Sequence, residues 1–414
     1  MVNISLFVHI CRMKRRIFCT VTNDLNYDQR MIRICSSLAG AGYEVTLVGR
    51  ASRGSLPLAE RPFGQHRLTM WFRRGKLFYL EYQFRLFFYL LAQKMDGICA
   101  IDLDSILPCY FISRIRRIPR VYDAHELFCE MQEVVTRPFI YKIWKAVERF
   151  AVPAFRHGYT VNEPIAAEFR KLYGVEYAVV RNLPVLEEGA AGTGVVKETF
   201  AGVAREALAD EKAAERGKAV QVPGGGTVLA GGERYILYQG AVNEGRCFET
   251  LIPAMERVDA VLVICGEGNY LERARDLVQR HRLGYKIIFT GAIRPEELKA
   301  ITRGAFCGIT LFDRRGASNY YSLANRFFDY MHAGIPQVAM NYPAYKEINN
   351  SHPIAVLLDE PGVQEIADAL NELLTNKELY RTLSDNCQQA RLCYNWQEEE
   401  KTLIRLYHQL FNLT

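Results

Sequence analysis

The sequence contains no CxxC pair, no apolar run long enough to cross a bilayer and no strong excess of either charge. Each absence closes off a class of protein. The eleven cysteines are odd in number and scattered, which excludes a disulfide framework and a zinc site. Most of them, among them Cys19, Cys99, Cys265 and Cys307, fall inside apolar runs and read as small core residues of a reducing cytoplasm. In the aromatic segment from Leu77 to Leu91 and just beyond, the longest uncharged stretch, Leu86 to Met95 broken by Gln93 and Lys94, falls far short of the ~20 residues that a membrane-spanning helix needs. The apolar stretch from Asn3 to Cys11 is followed by Lys14, Arg15 and Arg16, the reverse of the order in a secretory signal, and Met13 offers an alternative start. A net charge of +6 over 414 residues is a mild excess. It suits acidic partners such as diphosphates or an anionic membrane surface, and no nucleic-acid partner is expected.

What is present is enough for two cores. Hydrophobic residues make up 49% of the chain and charged residues 24%, the balance of a globular protein. Short β-branched runs alternate with helical stretches, the pattern of parallel α/β layers. In the first half the expected strands are Ile17–Val21, Glu44–Val48, Ile98–Ile101, Arg120–Tyr122, Gly158–Val161 and Tyr177–Val180. In the second half they are Tyr235–Tyr238, Ala260–Ile264, Lys286–Phe289, Gly308–Phe312, Gln337–Met340 and Ala355–Leu358. This predicts two doubly wound sheets, one in residues 1–186 and one in residues 234–395. Residues 187–233 are rich in Gly, Ala and charge, lack a strand pattern and read as a linker with an insertion. One helix is expected there, from Lys197 to Lys218, with Phe200, Val203, Ala204 and Leu208 on one face. The tail, 396–414, is an amphipathic helix with Trp396, Leu403, Leu406, Leu410 and Phe411 as its apolar stripe, expected to pack on the first domain.

Two such sheets set their carboxyl strand ends across a cleft, so the loops there are the candidate site. In the second half, Gly240 and Gly245 let the backbone approach a ligand, and Arg246 has the fork geometry for phosphate. The alternative is a plain βα turn with a solvated Arg. Gly266, in Cys265-Gly-Glu-Gly-Asn269, is a weak signal of the same kind. The run from Asn319 to Pro336 is sharper. A Ser/Asn-rich turn with Ser322 and Asn325 opens a helix from about Leu323 to Ala333, and N–H groups at such a start suit a diphosphate. Arg326 adds charge, Asp329 stands where a carboxylate meets ribose hydroxyls, and Gly334 ends the helix. An ordinary capped helix with a solvated Asp is the other reading.

In the first half, Asp123-Ala-His125-Glu126 follows a strand and gathers proton-transfer groups. The same four residues also fit a helix start, with Asp123 as cap, Glu126 completing a capping box and His125 exposed. The loop after the first strand offers Asn23, Asp24 and Arg30 as acceptor-side candidates. Asp102-Leu-Asp104 is a DxD after a strand, but it lies in the wrong half for a donor metal, and no metal is expected. Leu77 to Leu91 is flanked by Arg67, Arg73, Arg74, Lys76 and Lys94, with a second basic patch at Arg114, Arg116, Arg117 and Arg120. It reads either as an interfacial helix or, preferably, as a buried helix with a basic rim.

The run SLANRFFDYMHAGIPQV resembles the donor-site helix of glycosyltransferase family 4, the large retaining GT-B family. Phe289-Thr-Gly291-Ala-Ile-Arg-Pro-Glu-Glu-Leu298 is similar to that family's nucleobase-holding stretch, and LYQGAVNEGRCFETLIPAM to its phosphate loop. The Asp-x-His-Glu segment is similar to the position where a histidine contacts the transferred sugar. Two departures stand out. Gly240-Ala241 replaces the frequent Gly-Arg, and Tyr321 stands where the family often has a first glutamate. The resemblance implies a GT-B fold of two Rossmann-like domains and a retaining, nucleotide-sugar-dependent glycosyltransferase. His125, Glu126 and Arg246 would be catalytic. Gly240, Gly245, Gly266, Gly291, Ser322, Asn325, Arg326 and Asp329 would hold the donor. Asn23, Asp24, Arg30 and Asp123 would line the acceptor side. The co-substrate would be a nucleoside-diphosphate sugar with no further cofactor, and the acceptor a glycan or a polyprenyl- or lipid-linked sugar. A non-catalytic binding subunit, an epimerase and a phosphorylase share the architecture and are the alternatives.

Overall fold

The computed structural model describes residues 14–26, 28–51, 55–72, 75–187, 220–221, 227–228 and 234–412. Met13 and the stretch before it, Arg73, Arg74 and the helix expected from Lys197 to Lys218 lie outside the described residues.

The first half builds seven parallel strands in the order β3-β2-β1-β4-β5-β6-β7. They are β1 (Arg16–Thr20), β2 (Glu44–Ala51), β3 (Gly64–Thr69), β4 (Gly97–Ile101), β5 (Arg120–Ala124), β6 (His157–Thr160) and β7 (Ala178–Val179). Helices α1 (Gln29–Gly40), α2 (Gly75–Ala92), α3 (Ile106–Arg116), α4 (Gln132–Val135), α5 (Pro138–Ala151) and α6 (Glu163–Tyr173) connect them. Local chemistry sets several helix starts. The carboxylate of Asp28 accepts from Met31 N–H at 3.0 Å and caps α1, and Asn162 caps α6 through Ile165 N–H at 2.9 Å. The strands are apolar on both sides because helices cover both faces of a parallel sheet.

The second half repeats the plan with six parallel strands in the order β12-β11-β10-β13-β14-β15. These are β10 (Tyr235–Gln239), β11 (Val261–Cys265), β12 (Ile287–Gly291), β13 (Cys307–Thr310), β14 (Gln337–Met340) and β15 (Ala355–Leu358). Helices α7 (Phe248–Ala254), α8 (Leu271–Arg280), α9 (Pro295–Gly304), α10 (Ala317–Tyr320), α11 (Asn325–Ala333), α12 (Pro343–Ser351), α13 (Val363–Thr375) and α14 (Lys377–Cys393) pack around them. The last helix, α15 (Trp396–Asn412), returns to the first sheet. Trp396, Leu403, Tyr407 and Leu410 join a core with Ile17, Leu38 and Leu47, and Trp396 Nε1 donates to Ser37 Oγ at 2.9 Å. All ten described cysteines are free, and nine of them are buried.

Two elements differ from the sequence expectation. β3 was not anticipated; its residues, Gly-Gln-His-Arg-Leu-Thr, lack an apolar alternation because an edge strand is half solvated. A two-residue antiparallel pair, β8 (Val220–Gln221) with β9 (Thr227–Val228), lies in the segment read as strandless.

Candidate active site

In open parallel sheets, ligand loops gather where the strand order reverses. That point lies between β1 and β4 in one sheet and between β10 and β13 in the other. The two sets of strand ends meet. Glu126 Oε2 accepts from Ser318 Oγ at 3.1 Å, and Asn162 Nδ2 donates to the carbonyl of Tyr321 at 2.7 Å.

On the second-half side, three strand-end loops are laced together by backbone. Gly240 N–H donates to Cys265 O at 2.9 Å, and Gly266 N–H to Gly291 O at 2.8 Å. A Cβ on Gly266 would stand 1.9 Å from the carbonyl oxygen of Gly240, so only glycine permits this approach. Gly245, at φ 82°, turns the chain so that Arg246 points inward. Arg246 Nη1 donates to Asn319 Oδ1 at 3.0 Å, and its guanidinium lies 4.3 Å from the centre of the Phe312 ring. Arg326 is buried, 4.7 Å from the centres of both Phe312 and Tyr238. Neither arginine has an ion-pair partner among the described residues, and Arg326 Nε has no hydrogen-bond partner at all there. Burial, and next the charge of Arg326, lowers the pKa of Arg246. Two neighbouring cations without an ion-pair partner among the described residues make a place for an anion.

Helix α11 starts later than expected. Ala324, not a Ser or Asn side chain, occupies its N-cap, and no side chain caps it. Ser322 instead bonds back to Asn319 O at 2.8 Å, and Asn325 is exposed. Asp329 is half-buried and accepts from Gln239 Nε2 at 2.8 Å. Burial raises its pKa to about 6, against the pull of Arg33 from the first half.

On the first-half side the capping-box reading is overturned. Asp123 is the fourth residue of β5, fully buried, and its carboxylate turns inward. It takes Nη2 of Arg30 at 2.8 Å and faces Nε2 of His125 at 3.2 Å. Burial pushes the Asp123 carboxyl up, but Arg30 and then His125 outweigh it and hold it at about 2. Arg30 is therefore an internal residue rather than a cleft-lining one; its Nη1 also reaches Val180 O at 3.0 Å. Nδ1 of His125 lies 3.3 Å from Asp102, whose other oxygen accepts the His125 backbone N–H at 2.9 Å. Burial alone would lower the pKa of His125, but Asp102 and Asp123 raise it to about 9. Glu126 is pushed up to about 7 by burial and by Asp102. Asp104 does not join Asp102; it accepts from Thr22 Oγ1 at 2.6 Å. Asn23 bonds Asp28 at 2.9 Å, and Asp24 pairs with Arg67 of β3 at 2.5 Å, so both tie the loop to its own domain.

The site thus brings together Arg246, Arg326, Asp329 and the glycines on one side and His125, Glu126 and Asp123 on the other. Sequence reasoning missed Phe312, Gln239, Ser318 and Arg33. None carries a motif signal, because each is placed by a contact with a residue far away in the chain.

Two doubly wound parallel sheets that face each other across their strand ends make up the GT-B architecture. Residues 226–390 match the family model for "Glycosyl transferases group 1", and residues 29–184 match that for "Glycosyltransferase Family 4". Together the two matches span most of the chain, and it belongs to these glycosyltransferases. A GDP-mannose-dependent alpha-(1-6)-phosphatidylinositol monomannoside mannosyltransferase from Mycobacterium tuberculosis is 32% identical over 136 residues. That match covers 31% of this chain and only 35% of the relative's length. Among solved structures, HepE of Anabaena with UDP and glucose superposes with a TM-score of 0.69 at 12% identity, covering 95% of this chain and all of that one. A sucrose-phosphate synthase from Thermosynechococcus elongatus gives 0.69 at 18% identity, covering 97% of this chain and 100% of its own. These likenesses show the shared fold.

Proposed function

We propose that the chain transfers a glycosyl group, with retention, from a nucleoside-diphosphate sugar in the second half to a hydroxyl of a glycan or lipid-linked acceptor over the first. The observation that carries this reading is Arg246 and Arg326 beside Phe312, two inward cations with no ion-pair partner among the described residues. A diphosphate supplies the missing charge, and fixed cations stabilise it best as it leaves. The uncapped start of α11 adds N–H donors, and Asp329, held by Gln239, meets the ribose. The acceptor oxygen attacks the anomeric carbon on the face from which the diphosphate departs. The bond to the phosphate oxygen breaks, the new glycosidic bond forms, and the acceptor proton passes to the departing phosphate. His125, charged between two carboxylates, presents a fixed positive charge to the sugar rather than serving as a base. The arginines take the place of a divalent metal. The partial relative is named for GDP-mannose and a structural neighbour was solved with UDP, so both nucleotides belong in the first screen. The test is thermal shift with GDP-, UDP-, ADP- and TDP-sugars, followed by release of nucleotide in the presence of acceptors. A ligand of the native state raises the melting temperature; a chain that no nucleotide stabilises sinks the reading.

A further inference from the structure

More than half of the large hydrophobic side chains that stand exposed among the described residues lie on α2, α3 and α5. On α2, Leu77, Leu80, Phe84, Phe88 and Leu91 recur three or four residues apart and so form one stripe. The buried stripe, Phe78, Tyr82, Leu86 and Leu90, runs along the opposite side. α2 is thus apolar on two faces, and only one of them is covered by the domain's core. α5 exposes Phe139, Ile143 and Phe150, one and then two helical turns apart and so on one face, and α3 exposes Phe111 and Ile115. The three stripes adjoin. Lys76 Nζ lies 4.9 Å from the Phe139 ring centre, the Phe111 and Phe150 rings are 6.5 Å apart, and Arg116 donates to Leu91 O at 2.7 Å.

Charge on this face has one sign. Its three helices hold two acidic residues, and both are neutralised. Glu81 bonds Arg85 and two backbone N–H groups, and Glu148 is buried against Lys145 at 2.7 Å. Lys76, Lys94, Arg114, Arg117, Lys142 and Arg149 are exposed and have no ion-pair partner among the described residues. An apolar face with an unpaired cationic rim is complementary to a bilayer that carries anionic headgroups. A second copy of the chain docking here by two-fold symmetry would set these cations against each other. No helix here is long and apolar enough to cross a membrane.

We propose that α2, α3 and α5 form the surface on which the protein docks to an anionic phospholipid bilayer, lying in the interface. The link to catalysis rests on the glycosyl-transfer reading above. The inner side of α2 touches the floor of the first-half site: Tyr82 Oη donates to Val21 O at 2.8 Å, and the Gln83 amide donates to Asp104 O. A lipid-borne acceptor in the bilayer would present its polar end about one helix diameter, ~10–12 Å, from that floor.

The test is flotation with vesicles of pure phosphatidylcholine and with vesicles containing roughly 30 mol % phosphatidylglycerol, at low and high salt. Wild-type protein is expected to float with the anionic vesicles, less so at high salt. Phe84→Ser with Phe88→Ser should weaken binding by about tenfold or more, since both rings leave the acyl boundary. Lys142→Glu with Arg149→Glu should abolish the preference for phosphatidylglycerol. Melting temperature and nucleotide titration, measured on the same samples, should stay as in wild type, since all four positions are exposed. Wild-type protein that binds nucleotide but ignores both vesicles overturns the surface; protein that floats but binds no nucleotide overturns the transfer reading alone. A dimer in sedimentation velocity that the Phe substitutions dissolve, without vesicle binding, gives the face to a second copy and likewise overturns the proposal.

Discussion

Asp102 holds His125 at two points, accepting its backbone N–H at 2.9 Å and facing its Nδ1 at 3.3 Å. To do so Asp102 adopts φ 53°, a conformation that non-glycine residues rarely take and that costs about 1–3 kcal/mol. With Asp123 on Nε2, both ring nitrogens face carboxylates, and the ring is an imidazolium. The raised pKa fixes the sign of the pH effect. Stability from the charged ring is complete below the ordinary value of ~6.5 and is lost as pH rises through about 9. Asp102→Asn keeps the shape and removes the charge, so the His125 pKa should fall by about 1–3 pH units. The alkaline limb of kcat/KM should move down with it, while nucleotide affinity stays. An alkaline limb that does not move would show that the Asp102 charge does not set the state of His125.

Arg246→Ala should weaken nucleoside-diphosphate binding by about 1.5–3 kcal/mol, the range for a hydrogen bond to a charged group. Arg246→Lys should recover part of it, because a point charge replaces the fork. Calorimetry with GDP and UDP reads both. Wild-type affinity in the Ala variant would remove Arg246 from the donor site.

Metal removal tests the same pair from another direction. If Arg246 and Arg326 carry the charge of the leaving diphosphate, turnover should survive EDTA. Complete loss, restored by manganese or magnesium, would mean that the arginines do not suffice.

Much of this was legible beforehand for a simple reason. Buried parallel strands such as β10 and β11, where Leu237 pairs with Val263, are near-continuous apolar runs, so all but β3 of the strands in the two large sheets announced themselves, with ends off by at most about three residues. The glycine loops of the second half were readable because glycine placement is local: Gly266 lies against Gly240 O, where a side chain would not fit. The first-half site was not. Asp123 fits a capping box by spacing, but its carboxylate is claimed by Arg30, 93 positions away, and no local rule sees that bond. Asp102 and Asp104 look like a pair, yet the φ of 53° at Asp102 sends one to His125 and leaves the other to Thr22.

Gly266→Ala should be costly in two ways. The residue sits at φ 148°, where side chains are strained, and its new methyl would meet Gly240 O. Strain alone is worth about 1–3 kcal/mol, and relief requires the two loops to part. Melting temperature and nucleotide affinity should both fall. A variant as stable as wild type that still binds nucleotide would mean that the loops do not need this contact.

His125→Ala separates a structural role from a catalytic one. The ring is tied to Asp102 and Asp123, so its loss leaves both carboxylates facing each other without the cation between them. Some stability should therefore be lost below pH 9, where the ring is charged in the native state. A purely structural ring would show that loss and leave kcat nearly intact. If the imidazolium also touches the transferred sugar, kcat should drop by about 100-fold or more, as for other positioned proton-bearing groups. Nucleotide affinity should hardly change, since Arg246, Arg326 and Asp329 lie in the other half. The Asp102→Asn variant serves as the control, because it weakens the charge and keeps the ring. If the two variants lose stability alike but only His125→Ala loses turnover, the ring itself acts on the substrate. If neither loses turnover, the Asp102–His125–Asp123 cluster is a brace for the β5 loop, and the acceptor-side chemistry belongs elsewhere.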